Sequence, residues 1–176
     1  LIAYQTAYLK ANHPVEFFAA SMTYTMHSPE KLASFKGECL KHGIALLPPD
    51  VNRSRARFSV AEGSVRYALA AIKNVGEGAM EALVEERERG GPFRDLVDFA
   101  ERLDPQTINK RQIENLVKAG AFDALHPNRR QLFDGADVIL RHGAAALQDR
   151  KSGQNSLFGD GMGVQKSGLA LPQVPD

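Results

Sequence analysis

One lysine and two glycines lie close together in the segment from Ala71 to Val84, in the order Lys73, Gly76, Gly78. Backbone N–H groups can approach a phosphate only where no side chain intervenes, and a helix N-terminus adds a partial positive charge. The segment therefore predicts a phosphate contact through the backbone, with Lys73 bound to the same or a neighbouring phosphate. A plain turn between two helices, with glycine supplying an unusual backbone angle, is the competing interpretation.

A second basic group occurs in residues 107–123. Lys110 and Arg111 fall in the first turn of a predicted helix, where positive charge opposes the helix dipole, which suggests that a partner needs them there. Lys118 ends this helix, and the turn at Gly120 follows. We take the segment as a candidate second hairpin that pairs with the first. A packed helix with a solvated basic edge remains the alternative.

The third feature is a Leu-Phe pair in a polar segment rich in glycine and serine. Gln154 precedes Leu157 and Phe158 by three and four residues, and glycines flank the group on both sides. Apolar side chains without a core of their own usually fill a pocket of a partner. The amide would fix the orientation of the peptide while the two apolar side chains fill a groove.

Composition excludes several classes of protein. At 43% hydrophobic and 24% charged residues, the chain is ordinary globular material. No apolar run is as long as a bilayer-spanning helix, so we expect no membrane partner. The single Cys39 cannot form an internal disulfide, and the five histidines lack metal-site spacing. No catalytic motif is found, and a net charge of +1 makes any case for nucleic acid a local one.

The elements that must position these residues are mostly helical, so the predicted fold class is mainly α with a small β-hairpin. The hydrophobic periodicity and the proline and glycine signals predict helices over 1–11, 14–24, 31–42, 70–90, 93–103, 107–119 and 128–148. The hairpin pairs residues 57–60 with residues 65–68. From residue 149 the chain is polar, and we expect disorder there. Because Leu1 enters a helix directly, we also expect a piece of a longer protein.

The segment from Ala71 to Val84 resembles the helix-hairpin-helix motif of non-specific DNA binders, although Asn74 stands where that motif commonly has glycine. Residues 4–17, 47–52, 70–78, 109–111 and 118–123 together resemble the alpha-subunit family of bacterial DNA polymerase III, the C-family polymerases. The resemblance runs in the order of the family from Leu1 to about Gly159.

The resemblance implies four regions. Residues 1–69 would end the fingers domain, and 70–125 would form a tandem helix-hairpin-helix module on duplex DNA. Residues 126–148 would be a helix leading to the tail, and 149–176 a disordered tail whose residues 154–158 bind the sliding clamp. The candidate DNA contacts are then Lys73, Asn74, Gly76, Gly78, Lys110, Arg111 and Lys118, and the candidate clamp contacts are Gln154, Leu157 and Phe158.

The whole protein would be a cytoplasmic, metal-dependent nucleotidyltransferase of DNA replication, working with Mg²⁺ and with other replicase subunits. We expect no catalytic residue, metal site or cofactor in this segment, because the palm carboxylates would lie upstream of Leu1. The alternatives are an error-prone C-family paralogue, a stand-alone helix-hairpin-helix DNA-binding adaptor, and a purely structural helical interaction module.

Overall fold

A computed structural model describes residues 2–152 and 169–173 of the chain. The first three helices are α1 (Ile2–Asn12), α2 (Pro14–Tyr24) and α3 (Pro29–Lys41). Proline opens both α2 and α3, at a position where its missing N–H leaves no helical acceptor unpaired. Ser28 is the N-cap residue of α3, but its side chain makes no capping hydrogen bond. Gly43, with φ of +68°, follows the end of α3.

A three-stranded sheet follows, built from β1 (Leu46–Leu47), β2 (Ser59–Ala61) and β3 (Ser64–Arg66). The antiparallel pair of β2 and β3 confirms the predicted hairpin, and its turn contains two residues with positive φ, Glu62 and Gly63. Strand β1 pairs in parallel with β3, which makes the strand order β1-β3-β2. The sequence did not predict β1, because two residues carry no period of their own.

The rest of the chain is helical, with a 3-10 turn at Leu69–Ala71, then α4 (Glu77–Gly90), α5 (Leu96–Arg102), α6 (Lys110–Lys118), α7 (Arg129–Asp134) and α8 (Ala136–Ser152). Within the predicted helical segment 70–90, the backbone is extended at Ile72 and helix resumes only at Glu77, so the expected turn lies between the 3-10 turn and α4. The predicted helix over 128–148 is divided at Gly135 and continues to Ser152.

The prediction of disorder from residue 149 onward is wrong for the described part of that segment. Residues 149–152 belong to α8, and Leu169 and Leu171 pack against the hydrophobic core. Gln131 reinforces this contact, because its Nε2 donates to the carbonyl of Pro172 at 3.2 Å. The two leucines stabilise this position because packing removes their apolar surface from water.

One hydrophobic core runs from α2 to α8, with Phe18, Phe99 and Phe122 among its largest fully buried side chains. The loop after β1 packs into this core, with Val51 and Ser54 fully buried. Arg87 on α4 is 8% exposed and donates to the carbonyls of Val51 and Ser54 at 2.8 and 2.7 Å. Burial lowers the pKa of Arg87, while the two carbonyls accept both hydrogen bonds that its Nη1 can donate. The loop thus ties the sheet to the helices that follow it.

Candidate nucleic-acid interface

The first hairpin is the turn that joins Ile72 to α4. Val75 anchors it, since its side chain is buried and its N–H donates to the carbonyl of Ile72 at 3.1 Å. Lys73 and Asn74 precede this anchor and are both exposed. Asn74 has φ of +62°, in the left-handed region that asparagine tolerates better than most residues. This explains how asparagine serves at a position where the motif commonly has glycine.

The N-terminus of α4 faces outward from this turn. Gly76 is the N-cap residue and has no side chain with which to cap the helix. The first helical hydrogen bond runs from the N–H of Met80 to the carbonyl of Gly76, so the N–H groups of residues 77–79 have no acceptor within the helix. Nothing lies within 4 Å of a Cβ built on Gly78. These amides, which have no acceptor within the helix, and the helix dipole suit an anion.

Glu77 begins α4 and brings a negative charge close to these amides. Its Oε1 accepts from Nε of Arg57 at 2.6 Å, and Arg57 also lies 3.8 Å from Glu81. This hydrogen bond raises the pKa of Arg57, so the guanidinium stays charged beside the carboxylate. The pair reduces the repulsion that Glu77 alone would exert on an approaching phosphate.

One interpretation of the sequence is that glycine at position 76 supplies an unusual backbone angle. The structure gives a different reason for glycine there. Its φ of −76° and ψ of 139° are ordinary for any residue, so the turn does not need glycine for its angles. A Cβ at this position would instead lie 3.3 Å from Nε2 of Gln112. Gly76 therefore leaves room for a side chain that arrives from α6.

The second basic group lies at the start of α6. Asn109 and Gln112 form a capping box, with N–H to side-chain oxygen distances of 3.0 and 2.9 Å. Nζ of Lys110 lies 2.5 Å from Oδ2 of Asp137, and this hydrogen bond raises the pKa of Lys110. Arg111 is exposed, and within the described residues its guanidinium has no acidic partner. Of these two cations, Arg111 is thus the more available to an outside anion.

Lys118 lies at the far end of α6, about 12 Å from its start at a rise of 1.5 Å per residue. Its Nζ is 4.6 Å from the centre of the Phe133 ring, a cation–π contact with α7. Gly120 follows in the predicted turn, and its φ of +81° lies in the left-handed region. The structure therefore places Lys118 at the other end of α6 from Gln112, the α6 residue that approaches Gly76.

The structure brings Lys73, Asn74, Gly76 and Gly78 together in one turn and sets the start of α6 against it. Sequence analysis missed the residue that joins the two hairpins, Gln112. The pattern Asn-x-x-Gln before an apolar helix marks a capping box and was visible in the sequence. Its approach to Gly76, which is 36 positions away, is a tertiary contact that no local pattern indicates.

Three further predictions concern the clamp-binding residues, a metal site and a membrane-spanning helix. Gln154, Leu157 and Phe158 fall outside the described residues. Among the residues that are described, no three His, Cys, Asp or Glu side chains are grouped so that they could hold a metal ion. In that same part of the chain, no helix combines the length and apolarity needed to cross a membrane.

Comparison with known proteins gives a consistent result. Residues 43–132 match the helix-hairpin-helix motif family. The chain is 53% identical over 169 residues to the DNA polymerase III subunit alpha of Caulobacter vibrioides, covering 96% of this chain and 15% of that protein. The subunit of Thermus aquaticus is 46% identical, with 91% and 13% covered, and that of Escherichia coli is 41% identical, with 90% and 14% covered. The chain thus spans about one seventh of the length of these relatives.

Proposed function

Because the chain belongs to the helix-hairpin-helix family and aligns with one segment of DNA polymerase III alpha subunits, we propose that it holds duplex DNA by its phosphates. The observation that carries this proposal is the outward-facing N-terminus of α4, with exposed Lys73 and Asn74 in the turn before it. Backbone amides and lysine contact phosphates without reading bases, so the binding is independent of sequence.

The proposal extends to the whole protein in which this segment occurs. That protein is a DNA-directed DNA polymerase of chromosomal replication that uses Mg²⁺, and the cytoplasm is its proposed compartment. The palm carboxylates that would hold the metal belong to other parts of the polymerase, and this segment acts by holding the duplex product. Relatives named as polymerase subunits favour this parentage over a stand-alone DNA-binding adaptor.

Direct binding tests the proposal. Fluorescence anisotropy of two labelled duplexes with unrelated sequences is titrated with the full chain at several salt concentrations. We expect equal affinities for the two duplexes and a linear fall of log affinity with log salt. A clear preference for one sequence, or the absence of any binding at low salt, would contradict the proposal.

A second proposed contact is the sliding clamp, through Gln154, Leu157 and Phe158. Its support is the sequence pattern alone: an amide, an apolar pair at the expected separation, and flanking glycines. The remaining replicase subunits would be reached through other parts of the polymerase.

A further inference from the structure

The side chain of Gln112 has one end fixed and the other end free. Oε1 of Gln112 accepts from the backbone N–H of Asn109 at 2.9 Å. The backbone N–H of Gln112 in turn donates to Oδ1 of Asn109 at 3.0 Å. Because only the oxygen of the amide can accept from an N–H, this bond determines which way the amide group faces. Nε2 is therefore the atom that faces Gly76.

Nε2 carries two donors without an acceptor. Gln112 is only 8% exposed, and within the described residues its Nε2 donates no hydrogen bond. Every fully buried side-chain nitrogen or oxygen in the same residues has a partner, so Nε2 must retain some contact with the surface. Because Nε2 reaches the surface, water can bind it in the free chain, and an acceptor from outside the chain can replace that water.

The position of this donor identifies the ligand. Nε2 lies beside Gly76, the N-cap of α4, where a Cβ would come within 3.3 Å of it. The N–H groups of the first turn of α4 have no helical acceptor there and carry the positive end of the helix dipole. Donors from two elements thus lie beside the same residue, Gly76, where an anion with several acceptor oxygens would bind both.

We propose that Gln112 is a phosphate ligand of the first hairpin, contributed by the first helix of the second hairpin. The anion site is then composite: α4 provides backbone amides, and α6 provides a side-chain amide held in place by its own capping box. This inference rests on the proposed function, since the phosphate is that of duplex DNA. It also gives a reason for glycine at position 76 that the backbone angles do not give.

The test replaces Gln112 by glutamate. Gln112→Glu retains the length of the side chain and the oxygen that accepts from Asn109, so the capping box is preserved. It replaces the Nε2 donors with a carboxylate oxygen that repels phosphate. Gln106→Glu is the matched control, because Gln106 is exposed in the loop before α6 and the change of net charge is the same.

We expect Gln112→Glu to lower the affinity for a labelled duplex about tenfold or more relative to Gln106→Glu, as loss of a hydrogen bond to a charged group implies. Equal affinities of the two variants would overturn the role of Gln112 while leaving DNA binding by the wild-type chain intact. A wild-type chain that does not bind duplex DNA at all would overturn both proposals.

A second measurement covers the case in which Gln112→Glu does not fold. In the wild-type chain, the side-chain N–H₂ resonances of Gln112 and Gln106 are followed by NMR while unlabelled duplex is added. A shift of the Gln112 signals that exceeds the shift of the Gln106 signals supports the proposal. Gln112 signals that stay unchanged while backbone signals of residues 76–79 move would overturn it.

Discussion

Asn52 and Phe93 hold each other through two hydrogen bonds. Nδ2 of Asn52 donates to the carbonyl of Phe93 at 2.8 Å, and the N–H of Phe93 donates to Oδ1 of Asn52 at 2.7 Å. The side-chain amide of Asn52 thus binds both backbone groups of Phe93, and it joins the loop after β1 to the segment that enters α5. Because α5 packs against α8, this pair links the loop to the C-terminal helices.

Asn52→Ala removes both hydrogen bonds and leaves the backbone groups of Phe93 without partners. We expect the free energy of unfolding to fall by about 1–3 kcal/mol, the cost of unsatisfied polar groups in a partly buried site. Urea unfolding followed by circular dichroism measures this change. Asn12→Ala is the control, since Asn12 is exposed and makes a single local bond to Tyr8. A loss in Asn52→Ala no larger than that in Asn12→Ala would contradict the assigned role.

Local sequence signals predicted the parts of this fold that local physics determines. Pro14 and Pro29 begin helices as expected, and the residues around Gly63 form the expected hairpin. Strand β1 escaped prediction because its two residues become a strand only by pairing with β3, and that pairing is not local.

In the candidate site too, sequence predicted the local features but not the tertiary contacts. The glycines and Lys73 were recognisable from their spacing, because one turn contains them all. The ion pair of Lys110 with Asp137 and the approach of Gln112 to Gly76 were not, because tertiary packing joins residues far apart in the chain. Sequence therefore indicated which residues are basic, while the structure distinguishes those that have partners within the chain.

Asp98 makes the stability of the chain depend on pH. Burial alone would raise its pKa, but the N–H and guanidinium of Arg94 and the guanidinium of Arg102 donate to the carboxylate at 3.0, 3.2 and 3.3 Å. These hydrogen bonds outweigh burial, so the pKa of Asp98 lies below its ordinary value of 3.8. The stabilisation is complete above that value and is lost as pH falls through the lower pKa of the folded state.

Asp98→Asn should therefore reduce the free energy of unfolding by about 1–3 kcal/mol at neutral pH. The gap between this variant and the wild type should narrow as pH falls from about 4 to about 2, below the ordinary pKa of 3.8, because the wild-type carboxylate then becomes protonated as well. Urea unfolding of both proteins over this range provides the measurement. A gap that stays constant with pH would show that the charge of Asp98 does not contribute.

Lys73→Ala tests the cation of the first hairpin. If Lys73 meets one phosphate, the variant should bind duplex DNA more weakly, and the slope of log affinity against log salt should decrease in magnitude by about one unit. Lys31→Ala is the matched control, because Lys31 is exposed on α3 and its removal changes the net charge equally. Equal salt slopes for the two variants would exclude Lys73 as a phosphate contact.

The proposed clamp contact rests on Leu157 and Phe158, which have no obvious core partner in their own polar segment. Burying the two side chains in a groove supplies roughly 3–6 kcal/mol, at about 1.5–3 kcal/mol for each. Ordering the peptide and losing translational freedom offset much of this, so an affinity in the micromolar range is expected. Such weak binding permits release and recapture, while attachment to DNA raises the effective concentration of the peptide.

Leu157→Ala combined with Phe158→Ala should abolish binding to a purified bacterial sliding clamp, measured by isothermal titration calorimetry. Binding of duplex DNA should be unchanged, because the two proposed sites share no residues. Met162→Ala combined with Val164→Ala is the control: it removes two apolar side chains from the same segment outside the Gln-x-x-Leu-Phe pattern and should leave clamp binding intact. Equal losses in the two double variants would mean that general apolarity, and not the spacing from Gln154, determines the contact.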